Sequence, residues 1–128
     1  MTSSEPRLQL RVRFGSEHSL GMGKVQLLEA VSEHGSISGA ARAMGMAYRH
    51  AWELIDDLNQ CFGEPVVATA SGGRKGGGAT LTDFGREVVD RFRAMEDKAH
   101  VALADDLAAL QSRMRRGSGA TGGRRSQG

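Results

Sequence analysis

Two short apolar-patterned helices separated by very little chain constrain this sequence more than any other feature. Ser36 is suited to cap the first helix, predicted over Ile37–Met44, because a serine oxygen accepts hydrogen bonds from free backbone N–H groups. Gly45 then supplies the left-handed residue that a tight turn needs. The second helix is predicted to begin near Ala47 and to end near Phe62.

The second of these helices has an apolar side and a polar side. At 100° per residue, its inward-facing positions are Ala51, Leu54, Ile55, Leu58, Cys61 and Phe62. Arg49, Trp52, Glu53 and Asp56 fall on the opposite side, and Tyr48 lies at the edge. The pattern therefore predicts a helix that is buried along one side only.

Shorter elements flank this pair. Leu8–Phe14 alternates apolar and polar residues, which predicts a strand, and residues 24–33 carry the apolar stripe of a short helix. Residues 66–70 and 79–81 are predicted to pair as a hairpin. The loop between them holds five glycines around Arg74 and Lys75, so its tip is predicted to be mobile and positively charged.

A long helix is predicted over residues 82–114, without a break, with Thr82 as its cap. Its stripe is longer than one small domain can cover, which favours a second copy of the chain as partner. The apolar residues of this proposed dimerisation stripe, which also extends to Met114, are Val88, Phe92, Met95, Ala99, Leu103, Leu107 and Leu110.

The composition indicates one small domain with flexible ends. Of the 128 residues, 39% are hydrophobic and 25% are charged, which suits a single modest core. Residues 1–7 are expected to be flexible, and residues 115–128 are expected to form a disordered basic tail. No stretch resembles a membrane span or a secretory signal, so the expected location is cytoplasmic. The single Cys61 cannot form an internal disulfide.

The positive charge is concentrated at one end of the chain. The net charge is +2, but residues 111–128 hold five arginines and no acid, so residues 1–110 have a net charge of −3. Binding of nucleic acid by residues 8–81 would therefore depend on locally clustered Arg and Lys side chains rather than on a general field.

The order of these elements predicts a mainly α fold: a winged helix-turn-helix with a short β-hairpin wing, an N-terminal strand and a long C-terminal dimerisation helix. In this fold the second helix of the motif enters the DNA major groove with its N-terminus first. Arg49 is the best candidate for a base contact, because a guanidinium can donate two hydrogen bonds to guanine. The full set of predicted DNA-binding residues is Ser36, Ser38, Arg42, Ala47, Tyr48, Arg49, His50, Trp52, Arg74 and Lys75.

The segments 35–52, 62–67 and 72–82 resemble the helix-turn-helix and wing of ModE-type molybdate-responsive regulators, and the resemblance spans residues 8–110. LysR-type domains share the Ala-Ala-Arg and Leu-Thr features. The resemblance implies a winged helix, a dimer through the long helix, and regulation of molybdenum-related operons. Ala47 departs from the family, which often has a capping serine there. ModE-type regulators sense molybdate through C-terminal domains for which this chain has no room, so no small-molecule effector is expected on this chain alone.

Three alternatives accompany this interpretation. Trp52 either contacts DNA or packs against the wing or a neighbouring helix. The chain could instead be a protein-interaction module that docks through the acidic residues Glu53, Asp56 and Asp57. An enzyme is not expected, because Lys75 is followed by Gly76 in a loop that closes onto a strand, unlike a nucleotide-binding loop. No metal or other cofactor is expected, since the histidines lack ligand spacing.

Overall fold

The computed structural model describes residues 6–70 and 77–115. They form two compact units, one of residues 9–97 and one whose described residues are 6–8 and 98–115. The elements are, in chain order, β1 (Arg11–Phe14), β2 (His18–Gly21), α1 (Met22–His34), α2 (Ile37–Met44), α3 (Tyr48–Phe62), β3 (Val67–Ala70), β4 (Gly78–Leu81), α4 (Asp83–Ala102) and α5 (Ala104–Gln111). The predicted mainly α winged helix-turn-helix fold is confirmed.

The core of the first unit is built from one side of each helix together with the wing strands. In α3 the buried residues are Ala51, Ile55 and Leu58, at the spacing of a single helical stripe. Other fully buried side chains come from α1, α4 and the start of the wing: Val25, Leu27, Leu28, Val31, Val66 and Phe92. Each such side chain contributes about 1.5–3 kcal/mol through loss of water-exposed apolar area.

Two separate antiparallel hairpins flank the helices. In the wing, β3 pairs with β4 so that Val67 lies opposite Leu81 and both side chains point into the core. At the N-terminus, β1 pairs with β2, and Val12 lies opposite Leu20. The sequence pattern does not predict β2, because Leu20 is its one buried residue and a four-residue strand with one apolar contact has no readable alternation.

The carbonyl and amide of Val66 join α3, the wing and α4. The Val66 amide donates to Asn59 Oδ1 at 2.8 Å, and its carbonyl accepts from the Thr82 amide at 3.0 Å. Thr82 Oγ1 in turn accepts from the Gly85 amide at 2.9 Å, which confirms the predicted cap of α4. A Cβ atom on Gly85 would lie 2.0 Å from Val66 O, so α4 can approach this closely only with glycine there.

The first half of α4 belongs to the core of its own chain. Val88 and Phe92, which the stripe predicts to lie in a dimer interface, are 6% and 0% exposed. Both side chains belong to one buried apolar cluster that also contains Leu28 of α1 and Leu81 of the wing. Arg93 reinforces this packing, because its guanidinium donates to both carboxylate oxygens of Glu29 in α1, at 3.0 and 2.7 Å.

The single unbroken helix predicted over residues 82–114 is divided in the structure. The chain leaves regular helical geometry at Leu103, with φ −104° and ψ 10°, and α5 begins at Ala104. Asp105 and Asp106 occupy the first turn of α5, where carboxylates interact favourably with the positive end of a helix dipole. Apolar periodicity continues through Leu103, so a pattern of spacings alone does not reveal the irregularity.

We expect Gly85→Ala to lower the free energy of unfolding by about 3 kcal/mol, because the new methyl group overlaps the carbonyl of buried Val66, which cannot move without breaking its hydrogen bond with the Thr82 amide. The midpoint of urea denaturation measures the change. Gly23→Ala is the matched control, since Gly23 also lies in the first turn of a helix but has no atom within 4 Å of the position that an added Cβ would take. That variant should be up to about 1 kcal/mol more stable than wild type. Equal effects of the two changes would contradict the packing argument.

Candidate nucleic-acid interface

The helices α2 and α3 form the predicted helix-turn-helix, with both predicted turn signals in place. Ser36 Oγ accepts a hydrogen bond from the Gly39 amide at 2.9 Å, which confirms Ser36 as the cap of α2. Gly45 ends α2 with φ 70°, the left-handed conformation that favours glycine. The burial of Ala40, Ala41 and Ala51 lets the two helices approach closely and leaves the start of α3 at the surface.

Two aromatic side chains stand on the exposed side of α3. Tyr48 is 53% exposed and Trp52 is 37% exposed. They are four residues apart, so they lie on the same side of the helix, and Trp52 Nε1 donates a hydrogen bond to Tyr48 Oη at 2.8 Å. Trp52 thus packs beside Tyr48 at the surface rather than in the core.

The basic residues of the motif are exposed as well. Arg49 forms no hydrogen bond or ion pair with any residue in the described part of the chain, so its guanidinium is available to a ligand. His50 Nδ1 lies 3.9 Å from Glu53 Oε1, and both side chains are mostly exposed. Arg42 lies in the last turn of α2 and is exposed. Ser38 is exposed, with its Oγ 3.5 Å from Ser36 Oγ.

The start of α3 has no side-chain cap. Ala47 takes the cap position with extended backbone geometry, φ −69° and ψ 146°, but an alanine side chain accepts no hydrogen bond. The N–H groups of the first helical turn therefore lack the side-chain partner that a serine would supply, and they point out of the exposed end of the helix. Helix N-termini of this kind are suited to phosphate oxygens.

A cleft of about 430 Å³ lies between the helix-turn-helix and the wing. It is lined by hydroxyl-bearing, aromatic, small and aliphatic residues, and no carboxylate is among the described ones: Ser36, Ile37, Ser38, Tyr48, Trp52, Thr69, Ala70, Gly77, Gly78 and Ala79. The sequence predicts Ser36, Ser38, Tyr48 and Trp52 as site residues, and the structure places them together. Thr69 also lines the cleft but is not among the predicted residues. A threonine on a strand of the predicted wing is the one feature of the sequence that could have indicated it.

The wing is attached to the start of α2 by a backbone hydrogen bond. The Ala79 amide of β4 donates to the Gly35 carbonyl at 2.9 Å, and Gly78 packs close to the same carbonyl. This bond sets the distance between the wing and Ser36. Arg74 and Lys75, the predicted DNA-binding residues of the loop tip, lie outside the described residues.

Comparison with known proteins identifies the motif. Residues 22–86 match the family described as bacterial regulatory helix-turn-helix protein, lysR family. The chain belongs to this family. The matched segment begins with α1 and ends at the first turn of α4, so it holds α2, α3 and the wing. The LysR-family helix-turn-helix is a DNA-binding element of transcriptional regulators, and the family is not one of enzymes.

Individual relatives are similar over about two thirds of the chain. The chain is 44% identical over 80 residues to "Molybdenum transport protein ModE" of Azotobacter vinelandii, which covers 62% of this chain and 30% of the relative. It is 40% identical over 84 residues to "Molybdenum-pterin-binding protein MopA" of Rhodobacter capsulatus, which covers 66% of this chain and 32% of that relative. It is 36% identical over 88 residues to "DNA-binding transcriptional dual regulator ModE" of Escherichia coli (strain K12), covering 66% and 34%. The matching segment spans about a third of the length of these relatives.

One acidic residue of this LysR-family domain has a structural role that the sequence did not indicate. Asp57 accepts from Lys24 Nζ at 2.6 Å through Oδ2, and its Oδ1 lies 2.9 Å from His18 Nδ1. Burial raises the pKa of the Asp57 carboxyl, but the hydrogen bonds with Lys24 and His18 outweigh this and hold the pKa below its ordinary value. Asp57 therefore ties α3 to α1 and β2, and only Glu53 and Asp56 remain of the acidic docking surface that the sequence suggests.

The remaining predicted dimerisation residues lie farther along the chain than Val88 and Phe92. Met95 and Leu103 are each 39% exposed, and Leu110 is 68% exposed. Ala99 and Leu107 are half-buried. Leu103, Leu107 and Leu110 recur at spacings of four and three residues, so they share one side of α5 and the residue before it.

Neither a metal centre nor a membrane span is present in the described residues. In residues 6–70 and 77–115, no group of three or more His, Cys, Asp or Glu side chains is arranged to hold a metal ion. No helix within these ranges is both long enough and apolar enough to cross a membrane. Cys61 is half-buried, and burial, with a smaller contribution from Asp57, raises the pKa of its thiol.

We expect Asp57→Asn to lower the free energy of unfolding at pH 7 by about 1 kcal/mol, since a partly exposed charged hydrogen-bond acceptor is lost. The pKa of Asp57 is lower in the folded chain than in the unfolded chain. The stabilisation that its carboxylate contributes is therefore fully present above the unfolded pKa of about 4, and it is lost as the pH falls through the folded pKa. The acid-side loss of stability should therefore be shallower in the variant. Thermal unfolding measured between pH 7 and pH 2 tests both expectations.

The neighbouring Asp56→Asn is the matched control for this experiment. Asp56 is exposed and accepts only from Gln60 Nε2, one turn along the same helix, among the contacts described. Its replacement should leave the pH profile close to that of wild type. A profile for Asp57→Asn that superimposes on wild type would contradict the assignment of the Lys24 and His18 contacts.

Proposed function

We propose that this chain binds double-stranded DNA sequence-specifically, acts as a homodimer, and regulates transcription of molybdenum-related or other metal or oxyanion operons. The observation that carries the proposal is the exposed first turn of α3, where Tyr48, Arg49, His50 and Trp52 stand together on a LysR-family helix-turn-helix. Helices in this position of the motif enter the major groove and contact base edges.

The residues around α3 suit different parts of a DNA duplex. The guanidinium of Arg49 has no hydrogen-bond or ion-pair partner among the described residues. Its paired N–H donors match the paired acceptors of guanine in the major groove. Arg42, the hydroxyls of Ser36 and Ser38, and the uncapped N–H groups after Ala47 suit phosphate oxygens, which position a protein without reading sequence. Arg74 and Lys75 would add phosphate contacts from the wing.

The proposed dimer rests on apolar residues that the chain leaves exposed or only half-buried. Leu103 and Leu110 are exposed and Leu107 is half-buried, and together they form an apolar side on α5 and the residue before it, a pattern that commonly marks an interface. A second copy is the simplest partner. A two-fold dimer presents two recognition helices, here two copies of α3, to the two half-sites of a DNA operator. Val88 and Phe92 are left out of the proposed interface, since both are buried in their own chain.

The molybdenum link rests on the names of the relatives. "Molybdenum transport protein ModE" and "Molybdenum-pterin-binding protein MopA" both match this chain at 40% identity or more, over the region that contains the recognition helix. Similar recognition helices favour similar operators. The alternative of a protein-interaction module has weaker support, because Asp57 is engaged by Lys24 and His18.

We expect Arg49→Ala to weaken binding to a duplex selected by the chain from random-sequence DNA by about ten- to a hundredfold, the value of one bidentate contact with guanine. Fluorescence anisotropy over a range of salt concentrations measures the affinity. The slope of log affinity against log salt should also fall by about one if the guanidinium neutralises a phosphate, and by less if it contacts only a base. Locating the selected sequence in the genome then identifies the class of operon.

Arg91→Ala is the matched control for Arg49→Ala. Arg91 is an exposed arginine on α4 whose side chain pairs with Glu87 on the same helix, at 2.7 Å. Removing it changes the net charge by the same amount as Arg49→Ala but should leave DNA affinity unchanged. Equal losses in the two variants would mean that net charge alone drives binding, and an unaffected Arg49→Ala would overturn the assignment of α3 as the reading helix.

We expect Leu107→Lys combined with Leu110→Lys to convert the proposed dimer into a monomer, because two charges would be buried in an apolar interface. Sedimentation equilibrium measures the mass in solution. Ala108→Lys is the control, since Ala108 is exposed and lies about 100° from Leu107 and about 160° from Leu110 around the helix, so the dimer should persist. A doubly substituted chain that sediments as a dimer would place the interface elsewhere.

A further inference from the structure

The recognition helix carries an aromatic pair whose hydrogen bonding defines the role of each member. Tyr48 is the single tyrosine of the chain and Trp52 is its single tryptophan. Trp52 Nε1 donates to Tyr48 Oη at 2.8 Å, although both side chains are exposed enough for water to compete for these groups. The contact joins positions i and i+4, which face each other along one side of the helix.

The direction of this bond decides what the tyrosine hydroxyl can offer to a ligand. An indole N–H only donates, whereas a phenolic hydroxyl has one hydrogen to donate and also accepts. Because Trp52 occupies an acceptor site of Tyr48 Oη, the oxygen is held in place and its hydrogen remains available to an acceptor outside the pair. Tyr48 is thereby prepared to act as a donor.

The surroundings of the pair favour an anionic acceptor. Tyr48 and Trp52 form one wall of the cleft whose other lining includes the hydroxyls of Ser36, Ser38 and Thr69. The described lining residues include no carboxylate, so an acceptor oxygen entering the cleft meets donors and no negative charge from them. This side of α3 faces α2 and the wing, whereas Arg49, about 100° from Tyr48 and about 60° from Trp52 around the helix, is not among the described residues that line the cleft. An acceptor in the cleft therefore flanks the groove rather than lying on its floor, and in a duplex the flanking acceptor is a phosphate.

We propose that Trp52 is a positioning residue that holds Tyr48 so that the tyrosine hydroxyl donates to a backbone phosphate oxygen of bound DNA at the cleft. The inference rests on the proposed DNA binding and adds to it the identity of a contact and of the residue that orients it. Trp52 contributes to affinity through Tyr48, and the two side chains act as a unit.

A double-mutant cycle tests the unit, using the duplex selected from random-sequence DNA. Tyr48→Phe should weaken binding about tenfold and Trp52→Phe about fivefold, because each keeps an aromatic ring and removes one polar group. The double variant should lose about tenfold and not fiftyfold, since removing Trp52 has no further effect once the hydroxyl is absent. An unaffected Trp52→Phe, or losses that multiply, would overturn the positioning role.

A structural readout separates positioning from general damage. The single indole N–H resonance of the free protein should shift in Tyr48→Phe, because its acceptor is removed. It should stay in place in Gln60→Ala, which deletes another exposed i, i+4 hydrogen bond of the same helix, that to Asp56 Oδ2. Gln60→Ala should also retain wild-type DNA affinity, and a loss equal to that of Trp52→Phe would indicate that any change on α3 weakens binding.

Replacing the phosphates one at a time identifies the acceptor. Uncharged methylphosphonate is introduced at each position of the selected duplex, and wild type is compared with Tyr48→Phe. We expect one position in each half-site at which the substitution removes the difference between the two proteins. If the difference instead disappears only on changing a base, the phosphate assignment is overturned. If wild type selects no duplex at all, the proposed DNA binding fails and this inference fails with it.

Discussion

The hydrogen bonds of the main-chain N–H and C=O of one buried residue, Val66, determine how the parts of this domain are arranged. A buried amide or carbonyl without a partner costs free energy comparable to a lost hydrogen bond, so the chain must satisfy both groups. It does so with a side chain of α3, Asn59, and with the amide that precedes α4, Thr82. Because Gly85 packs directly on the same carbonyl, α3, the wing and α4 meet at a single point.

The candidate interface depends on that arrangement although it lies at the other end of α3. The far end of the helix is held by Asn59 and by the ring contacts of Phe62 with Phe14 and Phe84, at centroid distances of 5.4 and 5.2 Å. Asp57 adds the ion pair with Lys24. With its C-terminal half fixed to α1, β1, α4 and the start of the wing, α3 presents its first turn in one direction, and the bond from Ala79 to Gly35 sets the wing beside it.

The same arrangement divides the exposed surface of the first turn of α3. Tyr48 and Trp52 line the cleft beside the wing, whereas Arg49, about 100° from Tyr48 around the helix, is not among the described residues that line it. The exposed residues of the first turn of α3 are not acidic, and Glu53 and Asp56 are the exposed acidic residues that follow it in the helix. In the proposed DNA complex, sequence reading by Arg49 and phosphate contact by Tyr48 would fall to neighbouring residues of the same helical turn.

The sequence by itself determined the local elements: the cap at Ser36, the turn at Gly45, the buried stripe of α3 and the cap at Thr82 all follow from residue type and helical spacing. It did not reveal β2, the irregularity at Leu103, the burial of Val88 and Phe92, or the engagement of Asp57. The formation of β2, the burial of Val88 and Phe92 and the engagement of Asp57 each depend on a partner distant in the chain. Periodicity shows that a side of a helix is apolar, but only the tertiary structure decides whether its own chain covers that side, because burial is a property of what packs against it.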